Sequence, residues 1–336
     1  MRIIHHAKSL IASSTGRSFA LICIATSLLL SAACTGGYRP PIASRPVASE
    51  TELSDMAYEA LNNRVGTIIV VDPRYGRVLK RVSHGFDVQF TSSPFELAQI
   101  VTAYAALDAG IINDRTLLPC AEAGRNVDVV EALSQSCPAF FAELSKRLTR
   151  AQFARAAGVI GFTYYGIESP TADQTWVRPI PAKIQDGASA ESFAALAVRG
   201  EGLQARELHL AQLASSLASG TTASERFAAY IMVNTKTSAP PVVSINRTAL
   251  GVVRRGLLKA VDEGEAKAAA HIDQKVAGKI GGGLKGAGGK GDAIFVSYAP
   301  ANDPQVALVV YLKDALGRDA AEVAGKFYEY WFRQKQ

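Results

Sequence analysis

Residues 92–110, Ser-Ser-Pro-Phe-Glu-Leu-Ala-Gln-Ile-Val-Thr-Ala-Tyr-Ala-Ala-Leu-Asp-Ala-Gly, constrain the fold more than any other stretch of the chain. From Pro94 to Ala109 the pattern predicts a helix that is apolar on nearly every side, which suits a buried central helix better than a surface one. A chain of 336 residues with 48% hydrophobic composition can bury one large core or two smaller ones around it. The start of the helix reads as capping chemistry. Ser93-x-x-Glu96 with Pro94 in the first helical position is a capping box followed by the favoured proline. Ser93 would accept a bond from the backbone of Glu96, and Glu96 would return one while its charge favours the positive end of the helix dipole.

The other elements fall in a consistent order. Glu50 to Asn63 predicts a first helix, and Gly66 to Pro73 is a β-branched run whose lack of alternation predicts a strand covered on both faces. Gly76 to Arg81 returns as its hairpin partner. Helical spacing recurs from Asp128 to Leu148, Thr149 caps a further helix closed by Gly158 and Gly161, and Tyr164 to Pro181 reads as an irregular surface stretch. Helices follow at Glu207 to Leu217 and Thr248 to Ala270, then strands at Lys275 to Gly281, Ala293 to Tyr298 and Val306 to Leu312. A final helix from Ala320 to Arg333 buries Val323, Ala324, Phe327 and Trp331. This order predicts an α/β fold of the α+β kind: a central antiparallel five-stranded sheet flanked by helices, with an inserted all-helical subdomain.

At the N-terminus, Arg2, Lys8 and Arg17 form a basic leader without acids, followed by an apolar run from Phe19 to Leu30 and the small residues Ser31-Ala32-Ala33. About a dozen apolar residues is too short for a comfortable membrane span, so residues 1–33 read as an export signal. Leu-Ser-Ala-Ala-Cys resembles a bacterial lipoprotein signal with Cys34 lipidated, residues 34–49 forming a flexible tether and 50–336 the folded domain. Plain cleavage after Ala33 and an uncleaved anchor are the alternatives. Without the leader the net charge of +6 falls to about +3, too mild to point to nucleic acid. An exported location permits a disulfide between Cys120 and Cys137; the other reading is a small buried Cys137 and a loop thiol at Cys120. No Cys/His spacing resembles a metal site, and no cofactor is expected.

Residues 94–110 resemble the nucleophile helix of the penicillin-binding protein transpeptidases, Pro-Gly-Ser-x-x-Lys running into Ala-Ala-Leu-x-x-Gly. The likeness covers nearly the whole mature chain. The hairpin from Gly66 resembles the family's first two strands, Val127 to Phe141 its Ser-x-Asn segment, and Gly200 to Ala211 the stretch before a long helix. Val276 to Gly282 resembles Val-Ala-Gly-Lys-Thr-Gly-Thr on the active-site edge strand, and Asp292 to Pro300 the strand after it. The resemblance implies a β-lactamase/transpeptidase-like fold. It also implies that the first motif should supply nucleophile and base, the second a proton-shuttling serine and an asparagine, and the third a cation and hydroxyl for the substrate carboxylate.

Here Glu96 falls on the serine and Gln99 on the lysine; Ser136 keeps its serine while Pro138 replaces the asparagine; Lys279 and Gly281 match around Ile280, which replaces the hydroxyl residue. A glutamine cannot act as a base, and losing members of a cooperating set costs many orders of magnitude in rate. If the fold holds, Glu96 and Lys279 should meet as an ion pair, with Gln99 hydrogen-bonded nearby. The resulting expectation is a lipid-anchored pseudoenzyme of the cell envelope that binds a peptidoglycan stem peptide or a cell-wall synthesis protein. The alternatives are an active D,D-transpeptidase, carboxypeptidase or β-lactamase using Ser93 or Ser136, and a structural lipoprotein without a ligand.

Overall fold

A computed structural model describes residues 48–85, 91–171, 174–187, 189–234, 241–285 and 289–333. The leader, Cys34 and the tether up to residue 47 lie outside the described residues. Helix α1 (Glu50–Leu61) opens with a capping box: Ser49 Oγ accepts the Glu52 N–H, and the Glu52 carboxylate accepts the Ser49 N–H at 2.7 Å. It ends two residues earlier than its pattern predicts, because Asn62 and Asn63 both take positive φ. β1 (Gly66–Asp72) is buried throughout, and β2 (Arg77–His84) pairs with it antiparallel as expected.

The inserted block is not all helical. In chain order it contains β3 (Thr91–Ser92), a 3-10 turn (Phe95–Leu97), α2 (Ala98–Asp108), β4 (Leu118–Cys120), β5 (Arg125–Val127), α3 (Val129–Ser134), α4 (Pro138–Ser145) and α5 (Arg150–Ile160). β6 (Thr163–Thr171) and β7 (Gln174–Pro181) follow, then β8 (Lys183–Ile184), α6 (Ala190–Arg199), β9 (Leu203–Arg206), α7 (Glu207–Ser219), α8 (Ala223–Asn234) and α9 (Arg247–Asp262). The stretch expected to be irregular, Tyr164 to Pro181, is thus a paired antiparallel ribbon. Its prolines argue against a central strand but not against this one, since a two-stranded ribbon leaves half of its N–H groups without a ladder partner.

The chain closes with β10 (Ala277–Lys285), β11 (Gly289–Ala299), β12 (Val306–Ala315) and α10 (Gly317–Arg333). The five long strands form one antiparallel sheet in the order β10-β11-β12-β1-β2, so the first strand pairs with the last. Period-two alternation splits β1 between two cores. Ile68 and Val70 pack with Leu53, Met56, Val323, Phe327 and Trp331 of α1 and α10. Ile69 and Val71 pack with Leu97, Val101 and the inserted block. α2 is buried from Ala98 to Ala106, the central position its composition predicts.

Candidate functional site

The positions that the resemblance assigns to the cleft come together where the turn before α2 meets the edge strand β10 and the loop between α3 and α4. The contact is too close for any side chain at Gly281, where a Cβ would lie 2.7 Å from the Pro94 carbonyl. Opposite, Gly200 has φ +65°, and a Cβ there would lie 2.9 Å from the Phe95 carbonyl. The turn is therefore held between β10 and the end of α6. Phe95 has φ 51° within it, the left-handed region, at a cost of about 1–2 kcal/mol for a residue with a side chain.

Ser93 does not form the expected capping box. Its Oγ donates to the Gly200 carbonyl at 3.0 Å and accepts the Phe95 N–H at 3.2 Å. Gln99 is fully buried and donates from Nε2 to the Val198 carbonyl at 3.2 Å, while Thr102 donates to Ala197 at 2.7 Å. Three side chains from the start of the central helix thus satisfy carbonyls at the C-terminus of α6, which an α-helix leaves unpaired. Among the described residues, Gln99 Oε1 has no hydrogen-bond partner.

Glu96 does not pair with Lys279. Its Oε2 accepts the backbone N–H of Gly282 at 2.6 Å, a charge-assisted bond across the cleft to β10. Lys279, with no exposed side-chain surface, instead donates to the Leu133 carbonyl at 3.0 Å, to Glu265 Oε1 at 3.0 Å and, in a short contact, to Ser136 Oγ. Ser136 in turn donates to Glu265 Oε1 at 2.7 Å from a backbone with φ 51°. Ser136 and Lys279 thus meet, and the anion between them is Glu265, which sequence reasoning passed over. A buried cation needs a counter-charge, and that requirement is the signal that could have directed attention to the acids preceding β10.

The remaining positions have other work. Alternation along β10 turns Ile280 to the opposite sheet face, where it is buried against Gly317 of α10; it does not line the cleft with Lys279 and Gly281. Pro138 is exposed at the first position of α4, the place where a missing N–H costs least. Cys137 just before it is disulfide-bonded to Cys120, with a Cα separation of 5.4 Å, which decides between the two readings of these cysteines. Among the described residues, the grouping Cys120, Glu122 and Cys137 is compact enough for a metal, but its two sulfurs are joined to each other.

The family model of the penicillin binding protein transpeptidase domain matches residues 66–329. Among solved structures, the chain is similar to the D,D-transpeptidase domain of a peptidoglycan glycosyltransferase from Eggerthella lenta, at 20% identity and TM-score 0.65, covering 84% of this chain and 81% of that one. It is also similar to the transpeptidase domain of penicillin-binding protein 3 from Burkholderia pseudomallei, at 16% identity and TM-score 0.66, covering 88% and 98%. The PBPA structure from Mycobacterium tuberculosis aligns at 16% identity and TM-score 0.64, covering 83% and 80%. No curated protein sequence matches.

Proposed function

The chain belongs to the penicillin binding protein transpeptidase domain family, and from that premise we propose that it is a non-catalytic member which works in the cell envelope by binding a partner of peptidoglycan synthesis. The observation that carries this reading is Glu96: a carboxylate stands in the position of the nucleophile and accepts the Gly282 N–H at 2.6 Å. Acyl transfer needs a hydroxyl beside a proton acceptor and free donors where the oxyanion develops. No hydroxyl stands at the nucleophile's position, and the N–H facing that position is taken.

The substitute nucleophiles fare no better. Ser93 Oγ is committed to backbone groups, with no basic side chain among its hydrogen-bond partners. Ser136 directs its hydrogen at Glu265 Oε1, an oxygen that Lys279 also holds, and Lys279 meets the serine as a donor rather than as the acceptor a general base must be, so neither neighbour is a free base. The same occupancy argues for a protein partner over a stem peptide, because the groups that would hold a peptide's carboxylate and carbonyl already carry Glu265 and Glu96. In this proposal residues 1–33 direct export, Cys34 carries the lipid, 34–49 form the tether and 50–336 the binding domain. No helix among the described residues is long and apolar enough to cross a membrane.

The test is intact-mass spectrometry of the full chain in detergent after incubation with benzylpenicillin, alongside Ser93→Ala and Ser136→Ala variants. The expected result is folded protein without a penicilloyl adduct. An adduct abolished by one substitution would overturn the reading and identify the nucleophile.

A further inference from the structure

The end of α9 and the turn after it carry three acids, and their partners differ. Asp262 pairs with Lys275 at 2.9 Å and Glu263 with Lys259 at 2.7 Å, both at the surface. Glu265 alone turns inward, to Lys279 and Ser136. Its backbone is fixed there. The Glu265 N–H donates to the Ser134 carbonyl at 3.2 Å, Ala266 N–H to Ala260 at 3.0 Å, and a Cβ on Gly264 would lie 2.2 Å from the Ser134 carbonyl. The carboxylate is thus delivered by two helix ends packed against each other rather than by a free loop.

We infer that Glu265 is a built-in ligand of the cleft, a carboxylate that occupies the site formed by the Lys279 ammonium and the Ser136 hydroxyl, so that an outside carboxylate can bind there only by displacing it. Three features carry this. Both hydrogen bonds from the site converge on the same oxygen, Glu265 Oε1. Lys279 is wholly buried whereas the Glu265 side chain keeps 25% of its surface exposed, which puts the stopper between the cation and the solvent. Among the described residues, Glu265 is the only carboxylate within ion-pair distance of Lys279. The inference deepens the proposed function by naming what closes the cation to ligands. Its test reads stability rather than acylation, so either can fail without the other.

The experiment is chemical rescue in the full chain. Thermal unfolding of wild type, Glu265→Ala and Glu265→Ala/Lys279→Met is followed in sodium acetate and in sodium chloride at equal ionic strength. Acetate should bind the vacated site of folded Glu265→Ala and raise its Tm by about 2–4 °C for each tenfold increase above the dissociation constant. Wild type and the double variant should show no acetate-specific rise. If Glu265→Ala does not fold in chloride, recovery on refolding in acetate becomes the reading, and failure in both salts overturns the inference. An acetate response equal in all three proteins, or absent from Glu265→Ala, also overturns it.

Discussion

His209 shows how one side chain holds two segments and ties them to pH. It lies buried in the first turn of α7, where Nδ1 accepts the Arg206 N–H at 2.9 Å and Nε2 meets the Ile180 carbonyl of β7 at 3.0 Å. Only the neutral ring protonated at Nε2 serves both partners. Burial pushes its pKa below the ordinary 6.5. The unfolded chain therefore takes up a proton before the native chain does, and this stability is complete above about pH 6.5 and declines as pH falls toward the native pKa. Melting curves between pH 7.5 and 5.5 should show a smaller loss of Tm for His209→Gln than for wild type; equal losses would assign the acid sensitivity elsewhere. Other residues were legible in kind but not in partner. Glu96 and Gln99 could be read from the chain as a carboxylate and an amide at the start of the central helix. That Gln99 caps α6 through Val198 depends on a residue 99 positions away.

Among the elements, the segment from β4 to α4 carries Ser136 and is closed by the Cys120–Cys137 disulfide over a separation of 17 residues. Closing a loop of that size stabilises a fold by about 3 kcal/mol in the chain-entropy account. Replacing both cysteines by serine should lower the urea-unfolding free energy by about 2–5 kcal/mol, with faster hydrogen exchange first around Ser136. An unchanged transition midpoint would deny the bond a structural role. The ribbon of β6 and β7 is an element the sequence concealed: it read as an irregular surface stretch, and only the pairing of the two strands supplies the edge that tolerates its prolines.

The molecule as a whole is sealed by its last segments. β12 joins β1 from Gly66↔Leu312 to Val71↔Ala307, and α10 covers the sheet face that Ile68, Val70 and Leu308 present. Deleting residues 317–336 removes Val323, Phe327 and Trp331 from that core, so the truncated chain should show no cooperative thermal transition by circular dichroism and should be degraded rapidly by protease. A sharp transition would place the stability in the inserted block. The sequence by itself determined the chain order of the five sheet strands, the two-faced burial of β1 and the central place of α2. These are properties of residue type and local period. Only the tertiary structure decided that Glu265 and not Glu96 meets Lys279, that Ile280 faces away from the cleft, and that Ser93 binds Gly200 rather than capping its own helix. Lys279 and Ser136 stand 143 residues apart, Ser93 and Gly200 107. Contacts between segments that distant are chosen by how sheet and helices pack in space, and no local pattern of side chains encodes them.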